Sequence, residues 1–323
     1  MIAIDARAAA RPELGGVERW ARELCARLPY TVLAPRPRLV HRAGHAWEQL
    51  VLPVRAAGAR ALLCPANLAP LAARNVVVIL HDAAPLRRPD WYSPAYAAWQ
   101  RRLLPLIARR AARVITVSPF SRAELRELLG VEADVVYGGV DERFFAASPA
   151  RRERPYVLCV ASQTARKNLA ALVPAARALA REGVELVVAG GHRPQFAAER
   201  GLAGLTLLGR VPDAALPGLY AGAEAFVLPS LYEGFGLPVL EAMAAGTPVV
   251  AADTTALPDT CGGAARLVAP EPDALRDALV GLLGDEAGRA RLRALGRERA
   301  RAFTWERTAR GVDAIVQEVA SRA

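Results

Sequence analysis

The chain has 323 residues, of which 53% are hydrophobic and 6% aromatic, and its formal net charge is +10. This length and hydrophobic content suffice for two domains whose cores need neither disulfides nor metals. The positive charge suits a nucleic acid, a phosphorylated substrate or a membrane surface. Nucleic acid is the least favoured of these, and we expect no such partner, because the sequence lacks zinc-finger spacing and an aromatic RNA-binding signature.

The cysteines and the N-terminus indicate the compartment. Cys25, Cys64, Cys159 and Cys261 are far apart in sequence and form no C-x-x-C pair, which predicts buried free thiols in a reducing cytosol. The opening run "MIAIDARAAA" has no basic leader, and no apolar stretch approaches membrane-spanning length. We therefore predict a cytoplasmic protein.

Short apolar runs alternate along the chain with longer Ala-, Leu- and Arg-rich segments of helical period. The first half contains "YTVLAP", "ARALLCP", "NVVVILHD", "RVITVS" and "ADVVYGGV", and the second half contains "YVLCVAS", "VELVVAG", "LTLLGRV", "AFVLPS" and "TPVVAAD". Such alternation predicts an α/β protein of two doubly wound domains with parallel sheets. Ligands of such domains bind at the carboxyl ends of the strands, so a cleft between the two domains is the expected site.

Two segments suggest where the domains end. Residues 147–156, "ASPARRERPY", are rich in Pro and Arg without an apolar period, which is typical of a linker. Thr304 is a plausible N-cap for a last helix whose apolar stripe contains Val312, Ile315, Val316 and Val319. We predict domains at residues 1–148 and 149–303, followed by a terminal helix at 304–323 that docks on the body.

The stretch "LPSLYEGFGLPVLEAMAAGTPVVAAD", residues 228–253, carries the most chemistry. A predicted strand leads into the glycine loop Gly234-Phe235-Gly236, and a buried helix begins at Leu237. A strand, a glycine loop and a helix N-terminus together form an anion site of backbone N–H groups. Glu233 and Glu241 frame this loop and can accept hydrogen bonds from hydroxyl groups, which makes the signal more specific than a glycine loop alone.

This stretch, "EGFGLPVLE" from Glu233 to Glu241, resembles the E-x7-E motif of retaining glycosyltransferases of the GT-B fold, the large glycosyl transferases group 1 family. The resemblance extends over nearly the whole chain, because "LGRVPDAALPGLYAGAEAFVLPS" and "EAMAAGTPVVAADTTALPDTCGGAA" look like the family's flanking segments. It implies a GT-B fold with two Rossmann-like domains. The first would bind the acceptor and the second a nucleotide sugar.

The resemblance also implies roles for residues of the second half. Glu233 would contact hydroxyls of the donor sugar, Gly234 to Leu237 would meet sugar and phosphate, and Glu241 would bind the ribose. Arg210 and Val211 in "LGRVPD" would contact the base through backbone groups. The alternatives are a solvated loop acid for Glu233, a capping or ion-pair role for Glu241, and a purely structural role for Arg210 and Val211.

Lys167 in "ASQTARKNL" is the only lysine of the chain and lies at the family's diphosphate-binding position. Members often carry an arginine directly after the preceding strand and a lysine six residues on, but here Ala161 replaces the arginine. Arg166, or the hydroxyls of Ser162 and Thr164, are possible substitutes. We predict that Lys167 and Arg166, together with Glu233 and His81, act at the reaction centre.

No metal and no cofactor are expected. The chain has no D-x-D pair to hold a metal-bridged diphosphate, so Lys167, Arg166 and the loop amides would stabilise the leaving group. His41 and His45 are spaced i, i+4, but no third ligand or carboxylate accompanies them, and we reject a zinc site.

The first half supplies candidates for the acceptor side. Gly15-Gly16 precede an amphipathic helix, and the resemblance places this turn near the acceptor; the alternative is a turn that needs glycine torsions. His81 closes the strand "NVVVIL" and matches the family's histidine near the reaction centre. A lone histidine is more often structural, but the carboxyl end of a buried strand favours a function here.

Two further features bear on donor and partner. The phrases "HAWEQLVLP", "LCPANLAPL" and "VSPFSRAEL" resemble transferases that build bacterial surface polysaccharides, many of them mannosyltransferases, which favours GDP-mannose as donor without deciding it. The segment Trp99 to Val114 combines apolar residues with five arginines. It could rest on anionic lipid at the cytoplasmic face of a membrane, or it could be an ordinary packing helix with a solvated arginine face.

We therefore expect a retaining, metal-independent glycosyltransferase that moves a hexose from a nucleoside diphosphate sugar to a glycan or a lipid-linked acceptor. A GT-B epimerase or phosphorylase would share the phosphate site, although an epimerase should carry more catalytic acids and histidines than the four histidines present. A non-catalytic nucleotide-sugar-binding protein is the alternative from another class.

Overall fold

The computed structural model describes residues 1–12, 15–36, 44–192, 196 and 199–323. These residues form two compact units: Met1–Arg87, Ala97–Gly139 and Thr304–Ala323 make up the first, and Arg88–Tyr96 and Val140–Phe303 make up the second. Segment Arg88–Tyr96 therefore groups with the second unit although both of its flanks belong to the first. The domain bounds predicted from the linker stay a prediction.

Twelve strands of the described residues form two six-stranded sheets in which all neighbouring strands are parallel. They are β1 (Ile2–Asp5), β2 (Thr31–Leu33), β3 (Ala61–Cys64), β4 (Val76–Ile79), β5 (Arg113–Thr116), β6 (Asp134–Val135), β7 (Tyr156–Val160), β8 (Glu185–Ala189), β9 (Thr206–Gly209), β10 (Ala225–Leu228), β11 (Val249–Ala252) and β12 (Arg266–Val268). The predicted α/β class is confirmed, and β12 is a strand that the pattern did not predict.

Helices connect these strands in the described residues. They are α1 (Gly16–Arg27), α2 (Gly44–Ala46), α3 (Leu52–Arg55), α4 (Ala84–Arg87), α5 (Pro94–Arg110), α6 (Pro119–Leu129), α7 (Glu142–Phe145), α8 (Val173–Arg181), α9 (Leu216–Ala221), α10 (Leu237–Ala244), α11 (Leu257–Cys261), α12 (Pro272–Leu283), α13 (Glu286–Arg301) and α14 (Trp305–Ser321). A π-helical turn at Trp47–Val51 joins α2 to α3. None of the described helices is long and apolar enough to cross a bilayer.

The cores explain why these sequences form buried parallel sheets. Strands β3, β4 and β10 are buried at every position, because helices cover both faces of a parallel sheet and favour unbroken apolar runs. The cysteines are free thiols, buried at Cys64, Cys159 and Cys261 and half-buried at Cys25. Burial raises the pKa of the Cys159 and Cys261 thiols to about 12, so these groups are inert packing residues.

The terminal helix α14 docks on the first unit, as predicted. Thr304 caps it by accepting a hydrogen bond from the Arg307 N–H at 3.2 Å. Of the predicted stripe, Val312, Val316 and Val319 are buried and Ile315 is half-buried. Helix α14 packs against α1, β3, β4 and β5. Helix α5 ends at Arg110 and β5 begins at Arg113, where the apolar run "RVITVS" begins, so the segment Trp99 to Val114 contains the start of a strand as well as a helix.

The strand orders locate one switch point in each sheet. The first sheet runs β2-β1-β3-β4-β5-β6, so the direction of winding reverses between β1 and β3. The second runs β12-β11-β10-β7-β8-β9, and its reversal lies between β7 and β10. Ligands of open α/β sheets bind outside the carboxyl ends of the strands at such points. The loops after β7 and β10, and those after β1 and β3, are therefore where functional residues are expected.

Candidate functional site

Two loops meet at the switch point of the second sheet. A 3-10 turn, Ala165–Lys167, follows β7, and the loop before α10 follows β10. The Leu231 N–H donates to the Arg166 carbonyl at 3.0 Å, which joins the two loops. The side-chain amide of Asn168 donates to the Pro229 and Pro270 carbonyls at 3.1 and 2.8 Å, which pins the first loop to the second.

A buried ion pair forms the centre of this site. The Lys167 ammonium donates to Glu233 Oε1, and both side chains are buried. Ser230 Oγ donates to the same carboxylate oxygen at 2.7 Å. The Glu233 N–H donates to Thr255 Oγ1 at 2.9 Å, so both the side chain and the backbone of this glutamate are fixed. The structure thus brings together Lys167 and Glu233, 66 residues apart in sequence.

The electrostatics of this pair favour the charged carboxylate. Burial raises the pKa of Glu233, but the charges of Lys167 and Arg166 and the hydrogen bonds from Lys167 and Ser230 outweigh burial and leave it below its ordinary value. Burial lowers the pKa of Lys167, and the neighbouring Glu233 charge opposes this shift. Glu233 therefore holds its negative charge inside the protein because several donors compensate for the lost water.

The glycine loop places the N-terminus of α10 beside this pair. Gly236 is the N-cap and has a φ of +98°, and a Cβ at this residue would lie 2.7 Å from Leu257 Cδ2. The left-handed torsion favours glycine at this position, and any side chain here would also displace Leu257. The Phe235 carbonyl accepts a hydrogen bond from Thr260 Oγ1, and the Phe235 ring packs edge-on against Phe303. In the first turn of α10, Pro238 has no N–H and the Val239 N–H donates to the Gly236 carbonyl at 3.0 Å, so an anion here would meet the amides of the loop from Gly234 to Leu237.

Glu241 lies within α10, and the motif alone does not show which residues contact its side chain. Tyr220 donates its hydroxyl hydrogen to Glu241 Oε2 at 2.9 Å, and both side chains are buried. Thr247 Oγ1 donates in turn to the Tyr220 carbonyl at 2.6 Å. Tyr220, Ser230 and Thr255 are partners that the sequence analysis missed, because hydroxyl residues carry no spacing signal for such pairing.

The remaining donor candidates lie around the end of β7. Ser162 is half-buried, Arg210 is exposed, and Val211 is half-buried. Ala161 occupies the position of the missing arginine and closely approaches Gly190, whose φ is +148°. A Cβ on Gly190 would lie 2.0 Å from the Ala161 carbonyl oxygen, so this glycine, which the sequence analysis missed, shapes the turn.

Thr164 is the most distinctive of the hydroxyl candidates near this turn. Its side chain is fully buried, and Thr164 Oγ1 has no hydrogen-bond partner among the described residues. A buried hydroxyl without a partner carries a cost in free energy and calls for a reason. A ligand oxygen at this turn would supply one.

His81 lies in the first unit, directly after β4. Its ring nitrogen Nε2 is 2.9 Å from the Pro65 carbonyl, which can only accept, so Nε2 carries the proton and Nδ1 is the acceptor. Asn67 Oδ1 accepts a hydrogen bond from the His81 N–H at 2.6 Å, and the Trp20 ring packs edge-on against the imidazole. Burial lowers the pKa of His81, although the Pro65 bond and nearby carboxylates oppose it. A neutral, oriented imidazole results.

Gly15 and Gly16 begin α1, one turn before Trp20. Gly15 is the N-cap with a φ of −117°, and its N–H donates to Glu18 Oε2 at 3.0 Å. This φ is accessible to any residue, so Gly15 is not needed for its torsion. The backbone N–H of Gly15 is thus already satisfied by the helix itself.

A charged cluster that the sequence analysis missed lies at the first switch point. Asp5 ends β1, and its Oδ1 accepts a hydrogen bond from the Arg7 N–H at 2.9 Å. Arg7 Nε is 2.6 Å from Glu48 Oε2, and all three side chains are buried. Asp5 Oδ2 and Glu48 Oε1 receive no hydrogen bond from any described residue. Burial raises the pKa of Asp5 and raises that of Glu48 to about 7.

No group of three or more His, Cys, Asp or Glu side chains in the described residues could hold a metal ion. The ring of His45 packs against Trp99 at 4.5 Å between centroids. Burial, with the charges of Arg7 and Arg11, lowers the pKa of His45 to about 4. His41 lies outside the described residues.

Comparisons with known proteins agree with this architecture. Residues 154–285 match the family described as "Glycosyl transferases group 1", and residues 53–144 match "Glycosyltransferase Family 4". The O-antigen chain mannosyltransferase B of Escherichia coli is 32% identical over 72% of this chain and 67% of its own length. A phosphatidyl-myo-inositol mannosyltransferase of Mycolicibacterium smegmatis is 35% identical over 59% of this chain and 53% of its own. The chain spans about half to two thirds of the length of these relatives.

Solved structures share the fold over almost the entire chain. Sucrose-phosphate synthase from Thermosynechococcus elongatus superposes with a TM-score of 0.79 over 100% of this chain and 99% of its own, at 21% identity. Anabaena HepE, solved with UDP and glucose, gives a TM-score of 0.75 over 98% of this chain and 99% of its own, at 16% identity. Together with the relative of 32% identity, these matches assign family and fold. The chain belongs to the glycosyl transferases group 1 family and adopts the GT-B fold.

Proposed function

We propose that this chain transfers a hexose, with mannose favoured, from a nucleoside diphosphate sugar to a glycan or lipid-linked acceptor. The observation that carries the proposal is the buried Lys167–Glu233 pair beside the N-terminus of α10, at the switch point of the second sheet. A cation and a helix N-terminus suit a diphosphate, and a fixed carboxylate suits sugar hydroxyls.

Departure of the nucleoside diphosphate is the step that needs charge stabilisation. In the proposed reaction Lys167, Arg166 and the loop amides from Gly234 to Leu237 stabilise the negative charge that develops on the leaving oxygen. The sequence has no D-x-D pair, which supports a reaction without a bound metal. Thr164 Oγ1, buried and without a described partner, supplies a further donor close to Lys167.

The remaining residues position the two substrates. Glu233 holds hydroxyls of the donor sugar, Glu241 with Tyr220 holds the ribose, and backbone groups at Arg210 and Val211 face the base. His81 offers Nδ1 as an acceptor to a hydroxyl group, because Nε2 is committed to Pro65. Gly15 and Gly16 lie on the acceptor side.

Retention of configuration is proposed to follow from attack on the same face that the diphosphate leaves, through a short-lived oxocarbenium-like state. A covalent route would need a carboxylate free to act as a nucleophile. Glu233 is instead held by Lys167 and Ser230, which supports the front-face route.

The relatives support the choice of sugar and acceptor. Two of them are named as mannosyltransferases of an O-antigen chain and of phosphatidyl-myo-inositol. A mannosyl donor and a glycan or lipid-linked acceptor are therefore proposed here, with GDP-mannose as the first donor to examine. A thermal-shift screen with GDP, UDP, ADP and dTDP identifies the base, since a bound nucleotide stabilises the fold.

The central test is mass spectrometry of donor hydrolysis by the wild-type chain and by Lys167→Ala and Glu233→Ala. We expect slow release of free sugar that both variants lose. The matched control is Glu185→Ala, because Glu185 is a half-buried carboxylate of the same unit, paired with Arg152 at the amino end of β8. Tight nucleotide binding without any turnover would assign the chain to non-catalytic binding proteins, and an epimerised or phosphorylated sugar product would assign it to the other GT-B classes.

A further inference from the structure

Thr255 adopts a backbone conformation that its own side chain disfavours. Its φ is +53°, in the left-handed region, where the Cβ of an L-residue lies too close to the following carbonyl oxygen. A branched Cβ makes this conformation a true outlier. Of the described residues with positive φ, ten are glycines and three are asparagines, which tolerate the region, and Thr255 is the remaining one. Such a torsion persists only where the surrounding structure holds it.

The turn that contains Thr255 leads from β11 into α11 and contacts the loop that carries Glu233. Each contact is a hydrogen bond between a threonine hydroxyl of residues 254–260 and the backbone of residues 230–235. Thr254 donates to the Ser230 carbonyl at 2.9 Å, Thr260 donates to the Phe235 carbonyl, and Thr255 accepts from the Glu233 N–H at 2.9 Å. The turn therefore holds this loop at three points.

Thr255 differs from the other two threonines because it binds Glu233 itself. The Glu233 carboxylate is held by Lys167 and Ser230, and the hydroxyl of Thr255 fixes the backbone of the same residue. A glycine at position 255 would adopt this torsion without strain, but it offers no side-chain oxygen. The hydroxyl, rather than the shape of the turn, is therefore what threonine supplies here.

The first unit contains the same arrangement at its own candidate residue. Asn67 has a φ of +61°, and its Oδ1 accepts the His81 N–H at 2.6 Å. In each unit, the side-chain oxygen of a left-handed residue thus accepts the backbone N–H of a residue assigned to the reaction centre. Asparagine tolerates the left-handed region, whereas Thr255 makes the same kind of contact with greater backbone strain.

We propose that Thr255 is a positioning residue for Glu233, and that its strained backbone is retained because it brings Oγ1 to the Glu233 N–H. This deepens the proposed function, on which it rests for the role of Glu233 at the donor sugar. A sugar hydroxyl meets the carboxylate in one place only if both the backbone and the side chain of Glu233 are fixed. The Glu233 N–H is committed to Thr255, so the amides that remain for an anion begin at Gly234.

A role in stability alone explains Thr255 less well. The strain of a left-handed, β-branched residue is similar in size to the free energy that one hydrogen bond contributes to folding. The two effects oppose each other, so Thr255 adds little net stability to the turn. Its contact with Glu233 should therefore matter more for turnover than for folding.

Three substitutions of Thr255 separate the hydroxyl from the strain. Thr255→Ser keeps the hydroxyl, Thr255→Gly removes both the hydroxyl and the strain, and Thr255→Val removes the hydroxyl but keeps the branched Cβ. Donor hydrolysis should stay within about twofold of the wild type in Thr255→Ser and fall about tenfold in the other two. The denaturation midpoint of Thr255→Gly should equal or exceed that of the wild type, whereas Thr255→Val should be less stable because it leaves the Glu233 N–H unpaired.

Nucleotide affinity distinguishes misplacement of Glu233 from damage to the whole donor site. GDP and UDP carry no sugar, so Thr255→Gly should bind each of them as the wild type does, measured by calorimetry. The matched control is Asn75→Gly, which changes another left-handed residue, with a φ of +52°, in the turn before β4. This control should leave donor hydrolysis and nucleotide affinity unchanged.

Amide hydrogen exchange measures the contact without any donor. The peptide of residues 228–237 should exchange faster in Thr255→Gly and Thr255→Val than in the wild type and Thr255→Ser. A wild type that releases no sugar would remove the proposed function, and exchange alone would then decide whether Thr255 holds Glu233. Full turnover in Thr255→Gly, an equal loss in Thr255→Ser, or unchanged exchange would overturn the positioning role and leave the proposed function intact.

Discussion

The switch points of the two sheets occupy the same place in similar folds but differ in how their buried charges are satisfied. At the second, Glu233 accepts hydrogen bonds from Lys167 and Ser230 at one oxygen. At the first, the Arg7 guanidinium pairs with Glu48 and only the Arg7 backbone N–H donates to Asp5, and each carboxylate keeps a buried oxygen without a described donor. Equal burial therefore does not imply equal electrostatic compensation.

The two carboxylates consequently titrate in opposite directions. The pKa of Glu233 falls below its ordinary value because cations and donors outweigh burial, whereas that of Glu48 rises to about 7 because burial dominates the Arg7 charge. The number of donors around a buried carboxylate, rather than its place in the topology, decides its charge at neutral pH.

The largest effect is expected when Lys167, the cation that compensates the buried charge of Glu233 at the second switch point, is replaced. Lys167→Met leaves the Glu233 carboxylate buried without its cation, and should lower the free energy of unfolding by roughly 3–5 kcal/mol, measured by chemical denaturation. Donor hydrolysis should disappear. Adding Glu233→Gln should restore most of the stability but none of the hydrolysis; a double variant as unstable as Lys167→Met would show that the pair is not the cause.

The pH dependence of stability should have opposite signs at the two switch points. The pKa of Glu48 is raised from 4.5 to about 7 in the fold, so the native state binds more protons and stability is lost as pH rises through this window. Glu48→Gln lacks this loss, and its stability relative to the wild type should increase by roughly 2–3 kcal/mol between about pH 5 and pH 8.

Glu233→Gln supplies the contrast. Because the pKa of Glu233 is lowered in the fold, its charged carboxylate stabilises the protein above the ordinary pKa of 4.5. This stabilisation is lost as the pH falls through the lowered pKa. Glu233→Gln should therefore have a lower free energy of unfolding than the wild type at neutral pH, and this difference should become smaller at acidic pH. Denaturation midpoints of both variants and the wild type, measured across pH, check the prediction. If the stability differences between each variant and the wild type change with pH in the same direction, the two carboxylates do not titrate in opposite directions.

A smaller effect is expected from Lys167→Arg, which keeps the charge. A planar guanidinium needs acceptor oxygens placed to match its two N–H groups, whereas the compact ammonium of Lys167 is buried against the Glu233 carboxylate. Turnover of donor should fall about tenfold with smaller change in stability. Unchanged turnover and donor affinity would mean that the single lysine of the chain is accidental.

These comparisons also show what the sequence could predict. Alternating apolar runs located the strands because parallel strands buried on both faces need them, and the motif from Glu233 to Glu241 marked the loop after β10. β12 was missed because "RLV" is only three residues long. The segment Trp99 to Val114 was treated as one surface, but α5 ends at Arg110 and the run "RVITVS" begins β5 at Arg113, where it pairs with β4.

The partners of the site residues could not be predicted in the same way. Thr255 lies 22 residues from Glu233, and Tyr220 lies 21 residues from Glu241, so only the folded chain brings them together. Arg7 and Glu48 belong to no motif, and they pair only because the folded chain brings the loop after β1 to the π-helical turn. Tertiary contacts thus decide which carboxylates are compensated.

The smallest effect is expected from removing a single buried hydroxyl, and it distinguishes the structural hydroxyl of Tyr156 from that of Tyr220, which supports the donor site. Tyr220→Phe removes the hydrogen bond to Glu241, and Tyr156→Phe removes an equally buried hydroxyl that donates to the Leu219 carbonyl at 2.7 Å. Each should cost about 1 kcal/mol of stability. Only Tyr220→Phe should also weaken nucleotide binding, about threefold by calorimetry, because Glu241 then loses the donor that orients it. Equal nucleotide affinity in both variants would exclude Glu241 from the donor site and leave the second switch point with Glu233 as its single functional carboxylate.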